Sequence, residues 1–160
     1  MSLTKKYLSL TAFTAASFAF ASFAQADVCD TPSKLGDIGN FAGEVITVAG
    51  SMEGKDEEML VNTVSCFEKA TGAVVKYSGS RDFAALIVAD LRSNNAPNIS
   101  IFPQPGLAGD MAKEGHLVPL GDELASWMTN NYGAGSSWVD LGTYSDASGK
   151  KDFYGFAYKM

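Results

Sequence analysis

Residues 44–77 read EVITVAGSMEGKDEEMLVNTVSCFEKATGAVVKY, and this stretch decides the fold class. Glu44 to Ala49 is a β-branched run closed by Gly50, the pattern of a buried strand. The loop Gly50-Ser51-Met52-Glu53-Gly54 follows. From Asp56 to Thr71, Leu60, Val64 and Phe67 recur at i, i+4 and i+7, which predicts a helix. Asp56, Glu57 and Glu58 suit the positive end of its dipole, Lys69 the last turn, and Gly72 the left-handed C′ position. Ala73 to Tyr77 then reads as a second strand. Strand, helix, strand in this order predicts a parallel pair with a right-handed crossover.

The same alternation continues downstream. Ser78-Gly79-Ser80 breaks the second strand, and Ser80 is suited to N-cap a helix reaching Leu91 or Ser93, with Phe83, Ile87 and Leu91 inward. Asn94-Asn95-Ala96-Pro97 ends it. Asn98 to Phe102 is a short third strand, read as buried, so the Asn98-Ile99-Ser100 glycosylation pattern within it is set aside. A helix is predicted from about Leu107 to Glu114, and another from about Asp122 to Tyr132 with Leu124, Trp127 and Met128 inward. Gly133 to Ser137 reads as a linker, Trp138 to Leu141 and Phe153 to Lys159 as extended segments, and Ser145 to Asp152 as a turn between them. The predicted class is α/β, with a mainly parallel sheet and flanking helices.

The ends of the chain and its composition narrow the setting. Lys5 and Lys6 precede an apolar stretch from Tyr7 to Phe23 that closes on Ala24-Gln25-Ala26, the layout of a cleaved export signal. The alternative, a membrane anchor, fits the short Ala/Ser-rich run less well. Cleavage after Ala26 leaves residues 27–160, with residues 27–42 as an N-terminal arm and a periplasmic product. Asp27 and Val28 before Cys29 do not suit lipidation. An oxidising compartment favours a Cys29–Cys66 disulfide; two free thiols are the alternative.

The formal charge of the whole chain is −6, from 12 Lys+Arg and 18 Asp+Glu, and the loss of Lys5 and Lys6 makes the mature part more acidic still. That excludes a nucleic-acid partner, which needs clustered cations. One His and two Cys exclude the common zinc patterns, so neither metal nor cofactor is expected.

Ligands of parallel α/β sheets bind outside the carboxyl ends of the strands. Those ends are Gly50-Ser51-Met52-Glu53, Ser78-Gly79-Ser80-Arg81 and Pro103-Gln104. Each opens onto a predicted helix N-terminus, where free N–H groups can donate to ligand oxygens. Ser51, Ser80 and Gln104 add polar side chains, and Glu53 can accept from two hydroxyls. A serine hydrolase would need Gly-x-Ser-x-Gly at such a turn, and neither Gly50-Ser51-Met52-Glu53-Gly54 nor Gly79-Ser80-Arg81 has that spacing. His116, the only candidate base, reads as a solvated loop residue. Cys66 reads as structural, and Trp127 and Trp138 as core.

Four strings carry a family resemblance: Phe67-Glu68-Lys69-Ala70-Thr71-Gly72 with Val74 to Ser80; Ala96-Pro97-Asn98-Ile99 into Phe102-Pro103-Gln104-Pro105-Gly106; Gly115-His116-Leu117-Val118-Pro119-Leu120-Gly121-Asp122; and Ser137 to Tyr144 with Tyr154-Gly155-Phe156-Ala157-Tyr158-Lys159. From residue 43 onward the chain resembles the extracellular solute-binding proteins of bacterial ABC sugar importers, most of all the alpha-glucoside-binding branch. The resemblance implies a periplasmic-binding-protein fold of type II and a monomer that holds a sugar between two lobes and docks on a membrane permease. It implies binding positions at Met52, Glu53, Gly79, Ser80, Arg81 and Gln104, and places Tyr158 and Lys159 near the hinge. Such proteins usually have about 350–400 residues, more than one core holds. Residues 43–160 are therefore expected to be an incomplete N-terminal lobe, and the 160-residue chain a fragment or a truncated product. Binding of another small solute, such as an anion at Arg81, and an exported α/β hydrolase are the alternatives.

Overall fold

A computed structural model describes residues 39–157. The expected export signal, most of the expected arm, Cys29, Tyr158 and Lys159 lie outside the described residues. The elements are β1 (Val45–Gly50), α1 (Lys55–Thr71), β2 (Val74–Gly79), α2 (Phe83–Arg92), β3 (Ile99–Ile101), α3 (Pro105–Lys113), α4 (Gly121–Asn131), α5 (Ser136–Leu141), β4 (Thr143–Ser145) and β5 (Lys151–Phe153).

The predicted α/β class holds. Strands β1, β2 and β3 form a parallel sheet in the order β2-β1-β3. The chain moves from β1 to β2 on one side, then crosses back to β3 on the other. Right-handed crossovers in opposite directions place α1 and α2 on opposite faces of the sheet. The core follows from that arrangement. Phe83, Ile87 and Leu91 of α2 meet Met111 of α3, with Ala49, Phe102, Leu107 and Leu117 packed around them. Phe83 stands edge-on to Phe102, with ring centroids 5.6 Å apart.

Side chains secure both flanks of β1. At the amino end of β3, Asn98 Oδ1 accepts from the Thr47 amide at 2.8 Å and from its hydroxyl at 2.9 Å. The Thr47 hydroxyl oxygen accepts from the Asn98 amide at 3.0 Å. On the outer edge of β2, Glu68 Oε1 of α1 accepts from the Val75 amide at 2.7 Å, so that edge group is paired. α1 ends as predicted, on a left-handed Gly72 with φ of 76°.

The hairpin of β4 and β5 is antiparallel. Its tip folds around Asp146, whose Oδ1 accepts from the Ser148 hydroxyl and amide and from the Lys150 amide. The Ser148 hydroxyl, more than the neighbouring backbone donors, holds the Asp146 carboxyl below its ordinary range. The hairpin lies against α3 and α4. Tyr144 packs on Gly109, and Leu120 donates its amide to the Phe153 carbonyl at 2.8 Å.

Several expectations need correction. Trp138 to Leu141 is helical, not extended: Gly135 turns the chain with φ of 55°, and packing of α5 on α4, with Trp138 edge-on to Tyr132 at 5.5 Å, overrides the β preference of four residues. Beyond Phe153 the described residues Tyr154 to Ala157 form no strand. Trp127 and Leu124 are not core. Only Met128 of α4 is fully buried, and Trp127 is 51% exposed, leaning on Tyr132 and Phe156. β3 is an edge strand with Ile99 exposed, so it is not the buried strand expected. α3 starts two residues early because Pro105 fits the first helical turn.

A surface cluster joins α2 to the loop after α3. Arg92 grips Glu114 through Nη2 at 2.8 Å and Nε at 3.1 Å, and His116 Nε2 stands 3.5 Å from the same carboxylate. The hydrogen bond from Arg92 is the main cause that lowers the Glu114 pKa. A carboxyl with a depressed folded pKa lends stability at pH above the ordinary glutamate range and loses it as pH falls through the lowered value. An NMR pH titration is expected to find Glu114 titrating below the ordinary glutamate range, and Arg92→Gln to move it upward. An unchanged midpoint in that variant would refute the pairing.

Candidate functional site

The sheet register brings the predicted strand ends together. Gly50 pairs with Gly79 on one side and with Ile101 on the other. The three carboxyl ends therefore lie side by side, at the point where the strand order switches direction, which is where open α/β sheets bind ligands. The Ser80 amide extends the ladder one step by donating to the Gly50 carbonyl at 3.0 Å.

The first two loops interlock there. Glu53 Oε2 stands 2.8 Å from Arg81 Nε, and Glu53 Oε1 accepts from the Arg81 amide at 3.2 Å. Both side chains face solvent, so this pair contributes little to stability. Its chemical effect is larger: the Arg81 guanidinium is opposed by a carboxylate, with Asp82 next in the chain. Ser80 does not cap α2, as had been expected. The helix begins at Phe83, and the Ser80 Oγ accepts from the Asp82 amide at 3.1 Å in a tight serine turn instead. Gln104 occupies the N-cap position of α3 in extended conformation, with no side-chain capping bond.

Met52, Glu53, Gly79, Ser80 and Arg81 thus form one cluster at the β1–β2 side of the edge. Gln104 stands on the β3 side, three residues past Ile101. Tyr158 and Lys159 lie outside the described residues. Sequence reasoning missed Tyr77. Its hydroxyl accepts from the Met52 amide at 2.9 Å and donates to the Met52 carbonyl at 3.1 Å. The available signal was alternation: Tyr77 shares a sheet face with Gly79 and, across the ladder, Val48 and Gly50.

The opening beside the cluster is small. A cavity of about 50 Å³ is lined by Gly50, Ser78, Ser80, Phe83, Leu86 and Asp90, among others. Enclosed small-molecule pockets run to several hundred Å³, roughly 300–1,000. A wider hollow of about 380 Å³ is lined by α4 residues alone and is not at the strand ends. Among the described residues no group of three or more metal-ligating side chains is found, and no helix is long and apolar enough to cross a membrane.

Among the described residues no histidine stands at this edge. His116 follows the carboxyl end of α3, and the nine-residue helix spans about 13 Å away from the strand ends. The arrangement suits hydrogen bonding to a polar ligand through hydroxyls, amides and one internally neutralised ion pair.

The chain is 42% identical over 118 residues to the "Alpha-glucosides-binding periplasmic protein AglE" of Rhizobium meliloti (strain 1021), which covers 74% of this chain and 26% of that protein. Over these residues the chain is similar to bacterial solute-binding proteins. It is also 38% identical over 114 residues to the "Osmoprotective compounds-binding protein GgtB" of Synechocystis sp. (strain ATCC 27184 / PCC 6803 / Kazusa), covering 71% of this chain and 26% of that protein. It therefore spans about a quarter of the length of these curated relatives. No family model matches it. Both relatives are named for binding, not for catalysis, and within the solute-binding proteins the resemblance is to the alpha-glucoside branch.

Proposed function

We propose that this chain is part of the substrate-binding component of an ABC importer, capturing a sugar, an alpha-glucoside or oligosaccharide, in the periplasm. Residues 1–26 are a cleaved export signal, residues 27–42 an arm, and residues 43–160 part of a ligand-binding lobe. The lobe supplies Met52, Glu53, Gly79, Ser80, Arg81 and Gln104 as one wall of the site, with Tyr158 and Lys159 near a hinge. A membrane permease takes the loaded monomer. No bond is made or broken, and no cofactor is needed.

The observation that carries this reading is the Glu53–Arg81 pair at the junction of the strand ends. It opposes the Arg81 cation that an anion would seek and leaves hydroxyl and amide groups, the donors and acceptors that neutral polyhydroxyl ligands match. The small cavity supports a shared site: about 50 Å³ does not enclose a sugar ring, so the other contacts come from sequence outside residues 39–157.

Thermal denaturation of the protein made from its whole reading frame tests the assignment. Maltose, trehalose or sucrose, added at roughly a hundredfold excess over Kd, is expected to stabilise by about 2.7 kcal/mol. Phosphate and sulfate are expected to leave the melt unchanged, and His116→Ala is expected to keep the sugar response. Stabilisation by the anions and not by the sugars would replace this reading with anion binding. Residues 27–160 alone are expected to give no micromolar binding of these sugars by calorimetry.

A further inference from the structure

We propose that Tyr77 is the positioning residue of the β1–α1 loop: its hydroxyl clamps Met52 between the ends of β1 and β2, and so sets Glu53 against Arg81. This rests on the reading of the strand ends as the ligand site, but it concerns how that site is held before any ligand arrives.

Two hydrogen bonds join the hydroxyl to one residue. It accepts from the Met52 amide at 2.9 Å and donates to the Met52 carbonyl at 3.1 Å. These groups belong to the two successive peptide planes that flank the Met52 Cα, so one side chain fixes both. The neighbouring backbone is shaped to admit it. A Cβ on Gly50 would stand 2.8 Å from the Tyr77 hydroxyl oxygen. A Cβ on Gly79 would stand 3.1 Å from Tyr77 Cε1 and run into the Met52 carbonyl. Gly50 and Gly79 are register partners, so a paired absence of side chains opens the slot the phenol crosses. Neither position is chosen for a left-handed backbone, since neither has positive φ. Close approach alone accounts for both.

The consequence runs along the chain. Glu53 directly follows the clamped residue, and its carboxylate takes both the amide and the Nε of Arg81. Arg81 directly follows Ser80. A loop without regular structure is thereby preformed through Tyr77, Met52, Glu53 and Arg81, and preorganisation of this kind reduces the ordering cost of binding.

Amide exchange measured by NMR on the purified chain tests this without any ligand. In Tyr77→Phe the ring remains and only the hydroxyl is lost. The Arg81 amide, which donates to the Glu53 carboxylate, is expected to exchange about tenfold faster, while Ile87 and Leu91 in the core change by less than about twofold. A ring that serves only as packing would leave Arg81 unchanged, or would speed all these amides together; either result overturns the proposal. Gly50→Ala is the second variant, since it keeps the phenol but displaces its oxygen from Met52. It is expected to speed Arg81 exchange as well. Loss of a cooperative melt in both variants would assign Tyr77 to the core and also overturn the proposal. No sugar enters these measurements, so their failure is distinct from failure of the sugar-binding reading.

Discussion

Replacing Ile87 by Ala is expected to lower the stability of this chain by about 3 kcal/mol, within the ~2–5 kcal/mol seen when a large aliphatic side chain is cut back in a packed core. Ile87 is 1% exposed and sits where α2, α3 and the sheet meet. Phe83, Leu91 and Met111 surround it, and all four are buried. The loss combines transfer of the removed carbons with the cavity they leave. Met111 is unbranched and can lean into the gap, which keeps the cost away from the top of the range. Ile87→Val removes one methylene and is expected to cost about 0.5–1.5 kcal/mol. Urea unfolding midpoints of the two variants check both values. A cost below about 1 kcal/mol for the alanine would mean that the core is not assembled as described. Folded domains hold only about 5–15 kcal/mol in total, so this one position carries a large share. Ile87 also lines the small cavity beside Gly50 and Ser80, so its loss reaches the strand ends.

The repeating strand–helix units were legible because their signals are local and redundant. Leu60, Val64 and Phe67 mark one helix face, and Phe83, Ile87 and Leu91 mark another, which the structure buries completely. Strand ends followed from element order, and so did the neighbourhood of Met52, Glu53, Gly79, Ser80 and Arg81. The second half of the chain was harder. Trp138 to Leu141 is too short for its apolar pattern to separate strand from helix, and its state is set by packing on α4. Trp127 and Met128 both lie at helical spacing from Leu124, yet only Met128 is buried, and spacing alone does not say how much of a helix is covered. The role of Tyr77 needed register: only once Gly50 is paired with Gly79 does a strand tyrosine become a clamp on the facing loop.

Cys66→Ser is expected to cost about 3–4 kcal/mol. Cys66 is half-buried on α1 and is disulfide-bonded, and no cysteine among the described residues is free. The sequence holds two cysteines, and Cys29, the proposed partner, lies outside the described residues. A Cys29–Cys66 bond closes a loop of about 37 residues, and the chain-entropy account then gives about 3.8 kcal/mol at 25 °C, gained by restricting the unfolded chain. The serine itself changes little, being close in size and able to bond within the helix, so the variant reports the bond and not a packing defect. Reduced wild-type protein is therefore expected to unfold at the same urea midpoint as Cys66→Ser, and oxidised wild type well above both. Two titratable thiols in unfolded, unreduced protein, or a midpoint indifferent to reductant, would refute the pairing. The bond also ties stability to compartment, because glutathione and thioredoxin keep cytosolic thiols reduced. Protein retained in the cytosol is expected to show the lower midpoint and exported protein the higher one. The N-terminal arm would then be fastened to α1, the helix that begins directly after the loop carrying Met52 and Glu53, only after the chain reaches the place where it is proposed to bind its ligand.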